Sequence, residues 1–393
     1  MKKLLQNIGI ALLSLMLTLA VCEGITRVVM PVPMAVKVTQ QKMLPSSQPQ
    51  KDVQGTDGSI NSVIDWSEAA KKGVRLYPNV TGHIQNHILS HQDVIIRVNS
   101  LGFRGEEVPA RTPGQFRILF LGDSITFGDY VDEKLTIPVL LQEKLKAKGY
   151  TNVVIMNAGL PGANFAEQYM HYQEMYESAD ADLVLLGMYL NDAQQTNKFY
   201  AKTLRFPFSA SRFLTWVVQR FQLVSSDVVF GKQRGVEVEK DWRETFRAGR
   251  DLRSGAMLTT RNGFDFEIYN AHNDFGLGWS PTAWKQLGKI AKSFVGLVRQ
   301  NHSKFAAFMF PVLMQVYCNP EALSTYPQDE FKRLFDGLNV PNYDLLPALR
   351  EKAPTITSKE LFYDHCHYRV EGNQIVSDLL VDWMTRDSIV PKP

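Results

Sequence analysis

The sequence is poor in cysteine: 393 residues hold only Cys22, Cys318 and Cys366. That is too few for a disulfide framework, and no C-x-x-C pair offers a zinc knuckle. It also lacks a basic block. Lys and Arg number 43 against 40 Asp and Glu, leaving a net charge of +3 spread along the chain. A nucleic-acid partner is therefore unsupported. No internal repeat is visible. His83, His87, His91, His171, His272 and His302 are scattered, and His87 and His91 lack the glutamate of an H-E-x-x-H pair, so no metal is expected. Gly159 and Gly162 do not form a dinucleotide fingerprint with a downstream acid. No cofactor is expected either.

Apolar residues make up 45% of the chain, enough for a sizeable core in one large domain or two modest ones. Lys2 and Lys3 precede an apolar stretch at 8–21, followed by Cys22 and Glu23 and a second apolar run. Three readings compete. The favoured one is an uncleaved signal anchor over residues 1–30, with the membrane as a partner. The others are a cleaved signal peptide and lipidation at Cys22, where Val21 is bulkier than a lipobox accepts. Each exports the remainder to the periplasmic or extracellular side.

Residues 40–61 are rich in Gln, Ser, Pro, Gly and Asp. They place a flexible linker at 31–75, with one or two helical turns at 67–72. A lead-in segment of short strands and turns occupies 76–115. From residue 116 short apolar strands alternate with helices. Strands are expected at 116–121, 152–156, 183–186, 305–310 and 343–345. Helices are expected at 135–148, 164–178, 283–300 and 372–383. The alternation predicts an α/β domain over 116–393, a doubly wound parallel sheet of about five strands in three layers. Residues 193–281 break the rhythm and are too long for a connection. They predict an insertion with helical pieces at 211–223 and 241–257. Its Phe206, Phe208, Phe213, Trp216 and Phe221 line a cleft or fill a core.

The run "LFLGDSITFG" puts Ser124 at a strand-to-helix junction, where α/β folds bind ligands and a helix start offers free N–H groups. Serine needs a base to become a nucleophile. "FYDHCHYRVEGN" supplies His367, with Asp364 three residues earlier to fix its tautomer. His365 is the rival base. The N–H groups of Ser124 and Gly159 and the amide of Asn191 follow successive strands, and all three could hold an oxyanion.

These residues, in this order, resemble the SGNH hydrolase family, the GDSL-type esterases and lipases. "GDSITFG" matches its first block, the glycine of "NAGLPG" its second, and "LND" its third. Asp364 and His367 match its last block, with Gly372 five residues after His367. One departure is Tyr189, which stands where the third block has glycine. The resemblance covers about 116–383 apart from the insertion. It implies a flavodoxin-like fold, with catalytic Ser124, Asp364, His367, Gly159 and Asn191. "NSLGFRG" at 99–105 and "DFGLGWS" at 274–280 resemble a bacterial membrane-anchored subgroup. In that setting Arg104 either reaches toward the active edge or makes a structural salt bridge, the commoner role. The 274–280 element ends the insertion and starts the next helix. In an exported domain Cys318 and Cys366 could form a disulfide bracing the histidine loop. The implied function is a serine esterase, cleaving an acetyl or short-chain ester of an envelope or extracellular carbohydrate or lipid. The alternatives are an O-acyltransferase acting on a glycan and a non-catalytic envelope protein.

Overall fold

The computed structural model of the protein describes residues 2–29, 51–55, 58–65, 73–193, 213, 274–317 and 325–392. The helices expected at 67–72, 211–223 and 241–257, the aromatics of the insertion other than Phe213, and Cys318 lie outside them. The chain divides into two compact units, residues 1–41 with 198–235, and residues 42–197 with 236–393.

The first unit contains α1, Lys2–Val29. Here the expected membrane anchor is corrected. Among the described residues no helix is long and apolar enough to cross a membrane. A span needs about 20 predominantly apolar residues. In α1 the apolar positions are interrupted by Gln6, Asn7, Ser14 and Thr18, and Glu23 and Arg27 occupy its last two turns. The membrane partner, the anchored location and the likeness to an anchored subgroup are withdrawn with it.

The second unit is built on five parallel strands: β6 (Phe116–Gly122), β7 (Val153–Gly159), β8 (Leu183–Met188), β9 (Lys304–Met309) and β10 (Asn342–Asp344). Their order across the sheet is β7-β6-β8-β9-β10. β6 and β8 are apolar runs buried almost throughout, as strands covered on both faces must be. α3 (Ile137–Ala147) connects β6 to β7, and α4 (Phe165–Ala179) connects β7 back past β6 to β8. The chain reverses direction between them, so right-handed crossovers place these helices on opposite faces. α3 buries Ile137, Leu140, Leu141 and Leu145 at helical spacing and packs on the closing helix α10 (Val370–Arg386). α4 begins with a capping box between Asn164 and Glu167 and packs on α5 (Pro281–Gln300). The result is an α/β fold with a parallel sheet and helices on both faces.

A smaller sheet precedes it. β4 (Val80–Ile84) pairs antiparallel with β5 (Val94–Val98) and parallel with β1 (Lys51–Gly55), a strand formed by residues read as linker. Arg104 joins this lead-in to the main sheet through bridges to Val98 and Asn157. The arginine is buried, and among the described residues it makes no salt bridge. Nη1 donates to the Phe127 carbonyl and Nη2 to the Val131 carbonyl, each at 2.7 Å, and the guanidinium lies 5.3 Å from the Phe127 ring centre. Burial lowers its pKa to about 10, leaving it charged at neutral pH. Arg104→Ala removes both of these bonds, leaving the Phe127 carbonyl only the longer bond from Asn157 Nδ2 at 3.3 Å, and opens a cavity. It is expected to cost about 3–5 kcal/mol, read as a lower urea midpoint with unchanged slope.

Candidate active site

The parallel register aligns Gly122 of β6 with Gly159 of β7 and with Gly187 of β8, so β6 and β7 finish level and β8 one residue beyond them. The reversal of strand order falls between β6 and β8, where a crevice for ligands is expected. Directly after β6, Asp123 leaves the extended conformation and caps a one-turn helix, α2 (Ser124–Phe127), accepting from the Ile125 N–H at 2.9 Å. Gly128 ends that turn with a φ of 74°. α2 rests directly on β7: a Cβ on Gly159 would stand 2.5 Å from the Phe127 nitrogen. Arg104 grips the carbonyl end of the same turn. Ser124 is thus held on a short, clamped helix with its N–H outside the helical ladder.

The histidine comes from the loop between α9 (Ser358–Leu361) and α10. A bridge between Phe362 and Tyr368 closes this loop, and the Tyr363 N–H donates to the His367 carbonyl at 2.7 Å. Asp364 Oδ1 accepts from the N–H groups of Cys366 at 2.9 Å and His367 at 2.8 Å. Its Oδ2 meets His367 Nδ1 at 2.8 Å, and His367 Nε2 meets Ser124 Oγ at 2.8 Å. Burial pushes Asp364 up, but His367 and these hydrogen bonds outweigh it and hold the carboxyl well below its usual range. Burial pushes the imidazole down, yet the Asp364 carboxylate prevails and raises His367 to about 9. The Tyr130 ring stands edge-on to His367, 5.1 Å between centres.

Cys366 carries a free thiol, so the expected disulfide to Cys318 does not brace this loop. The hydrogen bonds just described do so instead. Burial pushes the thiol up, keeping it protonated and unsuited as a nucleophile. His365 turns away from the serine, and its Nε2 meets Asp274 Oδ2 at 2.9 Å. The rival base is therefore committed elsewhere.

The oxyanion donors need one correction. The Gly159 N–H already donates to Asn157 Oδ1 at 3.1 Å. Gly159 serves packing, and its N–H is not free for a ligand. Three residues on, the Ala163 N–H donates to the Leu160 carbonyl at 3.1 Å around Pro161 and Gly162, whose φ is 70°. Proline second and left-handed glycine third make a type II turn, in which the glycine N–H is not used by the turn. Among the described residues nothing accepts from the N–H of Gly162 or of Ser124. Gly162 was readable from Leu160-Pro161-Gly162 as a turn, but the glycine at the strand end drew the reading.

Asn191 follows β8 in a buried turn, Leu190–Ala193. Its side chain bonds toward the Asp123 carboxyl, which burial raises to about 7. Its Oδ1 is buried without a partner. Asp192 closes the turn by accepting from the Tyr189 N–H at 2.8 Å and from Gln168 Nε2 at 2.7 Å. Tyr189, the departure from the family pattern, donates its hydroxyl to Asp274 Oδ2 at 2.9 Å. The 274–280 element meets its expectation, a short 3₁₀ turn Gly276–Trp279 leading into α5.

A serine hydroxyl bonded to a histidine, which an aspartate orients, is the arrangement of a serine hydrolase acting on esters. No family model and no curated protein matches the chain. Solved structures similar to it include an acetyl xylan esterase, 14% identical, covering 69% of this chain and 99% of its own, with a TM-score of 0.38. A variant of an acetyl-xylooligosaccharide esterase from Geobacillus is 13% identical over 69% of this chain and 94% of its own, with a TM-score of 0.41. The esterase EstA from Pseudoalteromonas sp. is 12% identical over 70% and 99%, with a TM-score of 0.36. Likeness at this level does not bear on the reaction, which rests on the site's own geometry.

Proposed function

We propose that the protein hydrolyses a short-chain acyl ester, an acetyl ester of a carbohydrate or lipid alcohol first among them, through an acyl-enzyme. Ser124 attacks the carbonyl while His367 takes its proton and returns it to the leaving alcohol. Asp364 keeps the proton on Nδ1, so that Nε2 faces the hydroxyl. The N–H groups of Ser124 and Gly162 and the Asn191 amide hold the oxyanion. Water, activated by His367, then releases the acid. The observation that carries this reading is the continuous chain from Ser124 Oγ through His367 to Asp364, both links at 2.8 Å.

A series of p-nitrophenyl esters from acetate to palmitate tests the proposal. The expected kcat/KM is highest for acetate or butyrate and falls roughly tenfold or more by octanoate. A maximum at long chains would overturn the short-acyl reading. Release of free acid in the presence of an oligosaccharide acceptor is expected. Acylation of that acceptor would make the protein an O-acyltransferase instead.

A further inference from the structure

We infer that His365 is a positioning residue of the proposed reaction: its imidazolium, shared between the Asp274 and Asp364 carboxylates, restrains the pull of Asp364 on the His367 proton. This rests on the reading of Ser124, His367 and Asp364 given above.

The two ring nitrogens of His365 face two different carboxylates. Nε2 lies 2.9 Å from Asp274 Oδ2, and Nδ1 lies 3.9 Å from Asp364 Oδ2, the oxygen that bonds His367. A neutral imidazole offers one N–H, and only the cation offers one on each side. The ring is fixed in this role. It stacks on Phe275, 5.4 Å between centres, and its backbone carbonyl accepts from the Leu313 N–H at 2.8 Å. Asp274 is fixed in turn by the Tyr189 hydroxyl at 2.9 Å. These contacts join three distant stretches: the turn before α5, the residue after β8, and the histidine loop.

Such a cation lies 3.9 Å from the Asp364 oxygen that bonds His367. An opposite charge there weakens the hold of Asp364 on a protonated His367. Among the described residues, the groups facing this pair are Asp364, Cys366 and His367 from the loop, and Asp274 from the turn before α5. Tyr189 faces it from the end of β8, Asp123 from the end of β6, and Asp129 and Tyr130 from the segment after α2. Among them Asp364 and Asp129 raise His367, and His365 opposes them.

The test is the pH dependence of kcat/KM on p-nitrophenyl acetate with the full chain. The base must be neutral, and Asp364 stabilises its protonated form. Activity of the parent therefore rises with pH through a limb above 6.5, the ordinary value for histidine. In His365→Gln the counter-charge is gone, and the limb is expected to move up by about one pH unit with the alkaline plateau kept. Asp274→Asn, which leaves the ring but removes its holder, is expected to move it the same way, and Asp274→Glu to return it toward the parent. A limb that stays in place in both His365→Gln and Asp274→Asn, with both folded, overturns the inference. A purely structural role would lower the plateau or the stability and leave the limb unmoved. NMR titration of the His367 ring reads the same shift without turnover. Should the parent show no Ser124-dependent activity, the proposed function fails, and the titration still decides the role of His365.

Discussion

Ser124→Ala is expected to lower kcat for ester hydrolysis by about a million-fold while leaving stability close to the parent's. Among the described residues the hydroxyl's one side-chain partner is His367 Nε2. Alanine keeps the backbone of α2, its Asp123 cap and the Arg104 clamp, so the turn survives the loss of one oxygen. What disappears is the atom that forms the acyl bond in the proposed reaction. The residual rate then comes from the oxyanion donors and from substrate binding alone. Matched circular dichroism and urea curves for the two proteins separate this result from unfolding.

Asp364→Asn is expected to cost about 10⁴-fold in kcat with little change in KM. Its effect is one of proton placement. The asparagine oxygen can still accept from the N–H groups of Cys366 and His367, as Asp364 Oδ1 does, so the loop keeps its shape. Its NH₂ group then faces His367 Nδ1, where a carboxylate oxygen stood. Two donors cannot meet there, so Nδ1 must carry the lone pair and Nε2 the proton. A ring in that tautomer cannot accept from Ser124. A KM that rises as steeply as kcat falls would instead point to lost substrate binding and a different role for Asp364.

Much of the scaffold could be read from the chain because it rests on local patterns. Residues 118–122, 183–188 and 305–309 are apolar runs that become strands buried on both faces. Asn164 three before Glu167 announces a helix start. Ser124 after the first strand and Asp364-x-x-His367 before the last helix also keep their meaning, since each is set by its neighbours. What escaped depends on distance or on details of single groups. Asp274 lies 91 residues from His365 in the chain, and nothing near either residue signals the pairing. Arg104 looked like half of a salt bridge, but its partners are carbonyl oxygens, which sequence does not distinguish. Gly159 and Gly162 are equally glycine in the sequence. Only hydrogen bonding separates the one whose N–H is taken from the one whose N–H is free. In α1 a pattern of mostly apolar residues suggested a span, which the interrupting polar residues do not sustain.

The central claim is that Ser124 is a nucleophile made reactive by His367 and Asp364. Incubation with a serine-reactive alkyl phosphonate, followed by peptide mass spectrometry, tests it most directly. The account predicts one covalent adduct per chain on Ser124 in the parent and none in Ser124→Ala. It also predicts labelling of Asp364→Asn slowed in step with its kcat. A parent protein that stays unlabelled, or an adduct that forms equally in Ser124→Ala, would contradict it.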